Sequence, residues 1–417
     1  METRTSAVPP VAVPYPRVGS QLGDAELAVL REVVTSGRTL SQGRWRDRFE
    51  EAFRTYVGTR HAFSVTSGTV ALELAIHLLG LQPGDEVIVT PQTYQATIQP
   101  LLTYDVTVRF ADISPLTANI DVDRVAELVT ERTRAVILVH YGGYPADMDE
   151  LMRLAAKHDL LVLEDAAHAL GAVYRGHPAG GLGDIACFSF HSSKNITTLG
   201  EGGMITFNRD DWAERLERLR SNEADAVFVL ADQRFGGSTM PLNGALYPGN
   251  AYTHECTELR RAGTNATLSE PAAAVGLIQM DRLPELVARR KAIAGRLTEV
   301  LSRFDAVRVP QVPAHIVHPY HLFTFFVEPE RGLDRDELLR HLAADGVETY
   351  LRYFPLHLLP EWRAKGHGYG ECPVAERLWF EQHMNLPCQP SLSGQHIDNL
   401  AAALERALTA TIAGTRR

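Results

Sequence analysis

Short apolar runs and helix-spaced stretches alternate along the first two hundred residues. AFSVT (62–66), EVIVT (86–90), TVRFAD (107–112), AVILVH (135–140), LLVLED (160–165), IACFSF (185–190) and GMITF (203–207) have the length and apolar content of strands. Between them VALELAIHLLG (70–80), closed by Gly80, VDRVAELV (122–129) and DELMRLAAKH (149–158) carry apolar residues at helical spacing. Ahead of all these, Leu27, Leu30, Val33 and Val34 predict a helix face that ends at Ser36-Gly37. Alternating β and α elements predict an α/β fold, with a mostly parallel sheet covered by helices on both faces. Residues 191–202 are too few for the usual crossover helix between the last two strands. One of those strands is therefore expected to be antiparallel.

The rhythm breaks at 222–252, where QRFGGSTMPLNGALYPGN reads as a long loop of the kind that more often serves function than not. Ser269 then reads as an N-cap, with Pro271 in the first turn of an Ala-rich helix, and a second long helix follows at 285–304. Beyond 305 the runs FTFFVE (323–328) and VETYLRYF (347–354) alternate with helices near 335–346 and 396–414. They predict a smaller α+β domain. The expected organisation is an N-terminal arm over 1–18, a large domain over 19–290 and a small domain over 291–417.

Composition narrows the function. Forty-one basic against 51 acidic residues give a net charge of −10, which argues against a nucleic-acid footprint. No apolar run reaches the roughly 18–20 residues of a membrane helix, and METRTSAVPPVAVPYP lacks the apolar segment of a secretory signal. A cytoplasmic protein is the default expectation. Four scattered cysteines, Cys187, Cys256, Cys372 and Cys388, form no CxxC pair and no metal-ligand cluster, so no metal is expected.

In such sheets ligands bind beyond the carboxyl ends of the strands, and four groups stand there. Ser67-Gly68-Thr69 opens a helix and suits an anion, although small residues also cap many helices. Tyr94 offers a ring for stacking, or only for packing. Asp165 ends the LLVLED strand, where it could pair with a ring cation or simply start a helix. Lys194 follows FSF by a few residues, and a desolvated lysine is the residue type that forms Schiff bases. Taken together they supply what pyridoxal phosphate (PLP) needs: an anion cradle, a stacking face, an acid for the pyridinium nitrogen and an amine. Gly181-x-Gly183-x-x-Ala186 imitates a dinucleotide fingerprint but precedes a strand, and no GxxxxGK[ST] occurs.

SGTVALELA (67–75), GDEVIVTPQTYQAT (84–97), RTRAVILVHYGGYPADMD (132–149), EDAAHALGAVYRG (164–176), GDIACFSFHSSKNITTLGEGG (183–203) and HPYHLF (318–323) resemble the DegT/DnrJ/EryC1/StrS aminotransferases. These are PLP enzymes that aminate keto sugars and keto cyclitols. The resemblance runs from about residue 19 to the C-terminus. It implies the aspartate aminotransferase-like fold (fold type I), with a mostly parallel seven-stranded sheet in the large domain and a smaller α+β domain.

It also implies roles. Lys194 matches the Schiff-base lysine, and Asp165 the partner of the pyridine nitrogen. Gly68, Thr69 and Ser189 match phosphate ligands, and Tyr94 the stacking ring. His168 belongs to the cofactor site, and Asn265 matches an Asn that reaches the phosphate held by the other subunit, which implies a homodimer with shared active sites. Tyr353, His357 and His321 are expected near the substrate. A sister branch that removes a sugar hydroxyl carries His where Lys194 stands, and Lys194 argues against it.

His168 in EDAAH and GTNATLSE (263–270) look more like the cyclitol branch than the nucleotide-sugar branch. The implied reaction is ping-pong transfer of an amino group from L-glutamine or L-glutamate to a keto cyclitol or keto sugar, with pyridoxamine phosphate between the half-reactions. It would belong to aminoglycoside-type antibiotic or amino-sugar biosynthesis. The rivals are a nucleotide-sugar aminotransferase, an aminohydroxybenzoate synthase-like lyase and a non-catalytic PLP-binding regulator.

Overall fold

The computed structural model describes residues 12–221, 226–228, 257–259 and 263–415. The seven predicted strands form one sheet: β1 (His61–Val65), β2 (Glu86–Val89), β3 (Thr107–Phe110), β4 (Thr133–Val139), β5 (Leu161–Asp165), β6 (Ile185–Ser189) and β7 (Gly203–Phe207). Their spatial order is β1-β7-β6-β5-β4-β2-β3. β7 runs antiparallel to both β1 and β6, and the other pairings are parallel. The short 191–202 connection thus has the consequence expected of it.

Helices α3 (Gly68–Leu78), α4 (Val122–Leu128) and α5 (Met148–His158) connect the parallel strands. Ile88, Val136, Leu138 and Val162 of the sheet pack with Val125, Met148, Leu151 and Ala155 of α4 and α5. Covered in this way, TRAVILV of β4 is buried at six of its seven positions.

Two helices precede the sheet, α1 (Asp24–Thr35) and α2 (Arg44–Val57). The inner face of α1 is not the expected one. Glu26, Val29 and Val33 are buried, whereas Leu27 and Val34 are 64% and 74% exposed. The physical reason is Glu26, whose carboxylate accepts from Gln279 at 2.7 Å and Arg282 at 3.0 Å. A fully partnered carboxylate therefore takes a core position that apolar counting gives to leucine. α2 is not among the predicted helices. Trp45, Phe49, Phe53 and Val57 recur every fourth residue on its buried face, and dense charge hides them. Phe53 meets Phe188 of β6 at 4.8 Å between ring centroids, and each such buried ring contributes about 1.5–3 kcal/mol on the area scale.

The chain divides into two compact units, Met1–Asn208 with Leu268–Arg417, and Arg209–Thr267. The second contains α6 (Asp210–Arg220) and an antiparallel pair, Ala226–Phe228 with Thr257–Leu259. Apart from 226–228, the predicted 222–252 loop lies outside the described residues. In the first unit the two helices expected at 269–304 are one, α7 (Glu270–Leu301), which runs through Pro284. A small sheet follows, β8 (Val307–Arg308), β9 (Phe323–Val327) and β10 (His383–Leu386), with β9 antiparallel to both neighbours. VETYLRYF is not part of it; only Val347 makes a bridge, to Val13. The arm packs here, with the backbone N–H groups of Ala12 and Val13 donating to the Gly346 carbonyl. Val13 shares a core with Phe323, Phe325, Leu338 and Leu342, the last two on α8 (Arg335–Ala344), and with Leu400 and Leu404 of the C-terminal helix α9 (Gly394–Thr415). Among the described residues no helix is long and apolar enough to cross a membrane.

Candidate active site

A cavity of ≈ 450 Å³ opens where the strand ends meet α3, lined among others by Ser67, Gly68, Thr69, Tyr94, Asp165, His168, Ser189, Lys194, Arg352 and Tyr353. Strand periodicity places Ser189. Phe188 and Phe190 point into the core with α2, so the residue between them faces the other way. Gly68 is needed because α3 begins hard against β6: a Cβ there would stand 2.7 Å from the Ser189 Cβ. Ser67 caps α3, its Oγ accepting the Val70 N–H at 3.2 Å. The first amides of the helix have no intrahelical acceptor, and with the Ser189 and Thr69 hydroxyls beside them they form an anion-binding end.

Asp165 is buried at the end of β5. Its Oδ2 accepts the Thr97 hydroxyl at 2.6 Å and its Oδ1 accepts the Ala167 N–H at 3.0 Å. The Thr93 hydroxyl lies 2.7 Å behind Thr97. Glu164, one residue earlier, points the opposite way into a fully buried site. It accepts the backbone N–H groups of Gly180, Leu182 and Gly183 at 2.8, 2.8 and 2.6 Å. His140 Nδ1 accepts the Ala146 N–H, so its Nε2 carries the proton it donates to Glu164 at 2.8 Å. Burial alone would raise the Glu164 pKa, but these donors overcome it and hold the carboxyl below its usual range. Within EDAAH the first acid shapes the loop and the second faces the cavity.

Lys194 lies in the turn after β6, its backbone N–H donating to the His191 carbonyl at 2.8 Å. Burial lowers its pKa to about 8; the Asp165 carboxylate pulls the other way and the Arg352 charge lowers it further. His168 stacks between His321, at 4.4 Å and 17°, and Tyr353, at 5.8 Å and 6°. Its Nε2 is 3.1 Å from the Tyr353 hydroxyl, and its Nδ1 is buried without a partner. Burial first, then the Lys194 and Arg352 charges, hold His168 well below the usual histidine range. Burial pushes the Tyr353 phenol up to about 12. Both rings are neutral near pH 7.

The structure thus gathers Gly68, Thr69, Tyr94, Asp165, His168, Ser189, Lys194 and Tyr353 around one cavity. Three expected residues lie elsewhere. His321 stands behind His168, its Nδ1 3.1 Å from Asn195 Oδ1. His357, expected at the mouth, is fully buried and pinned 2.9 Å from Glu376 Oε1, with its ring against Phe110. Asn265 belongs to the Arg209–Thr267 unit, where it is exposed and bridges Ser221. Thr97, Glu164 and Arg352 received no role from sequence. The threonine and the glutamate carry no local signal, whereas a lone arginine among aromatic residues in LRYF was a visible one.

The donor set fits pyridoxal phosphate. A helix N-terminus and a serine suit its phosphate, a buried carboxylate suits a ring N–H, and an amine with a lowered pKa suits its aldehyde. The orphaned His168 Nδ1 leaves a polar atom in the wall for a ligand to meet.

Residues 20–405 match the family described as the DegT/DnrJ/EryC1/StrS aminotransferase family. GDP-perosamine synthase of Caulobacter vibrioides is 34% identical over 404 residues, 97% of this chain and 100% of its own. Among solved structures, the aminotransferase TlmJ from Streptoalloteichus hindustanus superposes with a TM-score of 0.82 at 31% identity, covering 95% of this chain and 99% of that one. Spr1654 of Streptococcus pneumoniae in its PLP form superposes with a TM-score of 0.81 at 25% identity, covering 95% and 99%.

Proposed function

The chain belongs to the DegT/DnrJ/EryC1/StrS aminotransferase family, and from that premise we propose that it moves an amino group from L-glutamate or L-glutamine to a keto sugar. The observation that carries this reading is the single cavity that holds Lys194, Asp165 and the amide end of α3 together. A sugar acceptor is supported by GDP-perosamine synthase, whose alignment covers nearly the whole chain. The cyclitol reading rests on His168 and GTNATLSE, and a keto cyclitol is the comparison acceptor in the test.

When bound, pyridoxal phosphate supplies an electron sink for the pair left as the donor's Cα–H bond breaks. The α3 amides, Thr69 and Ser189 bind its phosphate. Asp165, fixed by Thr97 and the Ala167 amide, holds a proton on its ring nitrogen. Tyr94 and His168, both in the cavity wall, would help hold its ring. Lys194 Nζ takes the proton from the donor Cα and returns a proton to the acceptor carbon in the second half-reaction. Its pKa near 8 keeps a useful fraction of free base near neutral pH. We take the exposed Asn265 as the residue that serves a second copy's phosphate. The reading therefore includes a homodimer, with sedimentation at twice the chain's 46.0 kDa as its check. A cytoplasmic location goes with this reading.

The test is the spectrum of the PLP-loaded protein before and after L-glutamate or L-glutamine. Loss of the visible band and growth of a near-ultraviolet one establish the first half-reaction. Recovery of the visible band on adding a nucleotide-linked keto sugar, but not a free keto cyclitol, establishes the acceptor. Lys194→Ala should lose turnover, and Asp165→Ala at least about 100-fold in rate with the fold intact. A loaded protein whose spectrum no amino donor changes overturns the reading in favour of a lyase or a PLP-binding regulator.

A further inference from the structure

Lys194 sits in a turn, not in a strand or a helix, so what grips the turn decides where the amine stands. On one side Asn195 holds it. Its Nδ2 donates to the Leu170 carbonyl at 2.8 Å, and its Oδ1 lies 3.1 Å from His321 Nδ1. On the other side the start of the chain crosses the turn, where the Gly19 N–H donates to the Ser192 carbonyl at 2.8 Å. A Cβ at Gly19 would stand 2.0 Å from the Ser193 carbonyl oxygen and 2.4 Å from that of Lys194. Both obstacles are backbone atoms that cannot rotate aside, so this approach requires glycine.

The crossing segment is tied down on both sides of Gly19. Before it, the Tyr15 N–H donates to Glu348 Oε2 at 2.8 Å, and the Glu348 N–H donates to the Val13 carbonyl at 3.0 Å. After it, the Ser20 hydroxyl donates to Oε1 of Gln279, a buried residue of α7, and Gln279 Nε2 donates to the Gln21 carbonyl at 2.9 Å. The same Oε1 accepts the Thr197 N–H at 3.4 Å, so one side chain joins the segment to the far side of the lysine turn. Arg290 donates to the Gly19 carbonyl itself. With the segment anchored in this way, crowding at Gly19 moves the turn. A proton carrier works only in a near-attack geometry, and a misplacement of about 1 Å can cost on the order of 100-fold in rate.

We propose that Gly19 is a positioning residue for the amino-group transfer, and that residues 12–21 form a strap whose close approach to the turn sets where Lys194 Nζ meets the donor Cα. The inference rests on the aminotransferase reading and deepens it. Gly19 does not line the cavity, so its effect falls on the rate of the step and not on the hold on the donor.

The experiment mixes L-glutamate rapidly with the PLP-loaded wild type, Gly19→Ala, Gln279→Met and Gly58→Ala, and follows the visible band. Gly19→Ala should lose about 10- to 100-fold in limiting rate, with the half-saturating L-glutamate unchanged. In the PLP-free protein, the midpoint for modification of Lys194 by an amine reagent should move from near pH 8 toward the ordinary lysine value of about 10.4. Gln279→Met keeps the glycine and frees the strap from Thr197, and should move both readouts the same way by less. Gly58 ends α2 at a φ of 82°, so Gly58→Ala strains the backbone elsewhere and should lower stability with neither readout moved. A limiting rate in Gly19→Ala no lower than in Gly58→Ala, a loss carried by half-saturation instead, or a Lys194 midpoint still near 8 overturns the inference alone. If Gly19→Ala does not accumulate as folded protein, Gln279→Met decides by the same readouts. A wild-type spectrum that no amino donor alters overturns the aminotransferase reading, and the Lys194 midpoint, read without cofactor, then decides by itself whether the strap holds the turn.

Discussion

Lys194 is one of four lysines in the chain, with Lys157, Lys291 and Lys365, and it alone lines the cavity. Burial brings its pKa to about 8, below the ordinary lysine value of about 10.4. An amine-specific reagent should therefore modify Lys194 in the PLP-free protein with a rate that rises through a midpoint near pH 8. Peptide mass spectrometry reads it, with the other three lysines recording the reagent's own response, and a midpoint near 10 would contradict it. Linkage runs the same way. Between about pH 8 and about pH 10.4 the unfolded chain holds the extra proton, so this group makes stability rise with pH. At this scale the places of Lys194, Asp165 and the Ser67–Thr69 turn beside the cavity were legible, because each ends a strand or follows one within a few residues, whereas Ser189 entered through the family resemblance. Thr97 and Glu164 were not. Their work is hydrogen bonding across the fold, to Asp165 in one case and to the 180–183 loop in the other, and no spacing encodes it.

The central strands were legible because each is an apolar run long enough to cross a buried sheet. The helices before them were less so, and α2 shows why. Its N-cap is Gly43, which has no side chain to cap it, so the usual start signal is missing. The cap comes from elsewhere: Glu270, the first residue of α7, is buried and accepts the N–H groups of Gly43, Trp45 and Arg46 at 3.0, 2.9 and 3.0 Å. One carboxylate thus satisfies three orphan donors 224 to 227 residues away in the chain and places a negative charge on the positive end of α2. Glu270→Ala should cost about 2–3 kcal/mol, since it strands the buried Trp45 amide as well as losing the bonds to the half-buried Gly43 and Arg46. Urea unfolding measures it, and a loss below about 0.5 kcal/mol would show that water replaces the carboxylate. The two helices expected at 269–304 are one in α7, because the packed faces on either side of Pro284 carry the helix through.

α7 also bears on how the first unit holds together. The boundary expected at 290/291 falls inside this continuous helix. Leu283, Leu286 and Val287 belong to the core that contains α2 and β6, while Ile293, Ala294 and Leu297 belong to the core beneath the small sheet. Arg290 sits where one set gives way to the other, almost wholly buried. Its guanidinium donates to the carbonyls of Gly19, Tyr320, His321 and Cys388, drawn from the start of the chain, the segment before β9 and the segment after β10. Neutral carbonyls replace the hydration lost by the cation only partly, and burial lowers its pKa. Periodicity sees in this region only a change of pattern. It cannot see that a single rigid helix and one buried cation tie the two patterns together. The expected consequence is cooperative: thermal unfolding of the wild type should show one transition for both cores. Arg290→Ala leaves several buried carbonyls without a donor and should lower that transition as a whole, by about 3 kcal/mol or more. Calorimetry alongside circular dichroism decides it. Two transitions in the wild type, with Arg290→Ala moving only one, would mean that the cores are independent and that the boundary at 290/291 is a real division of the fold.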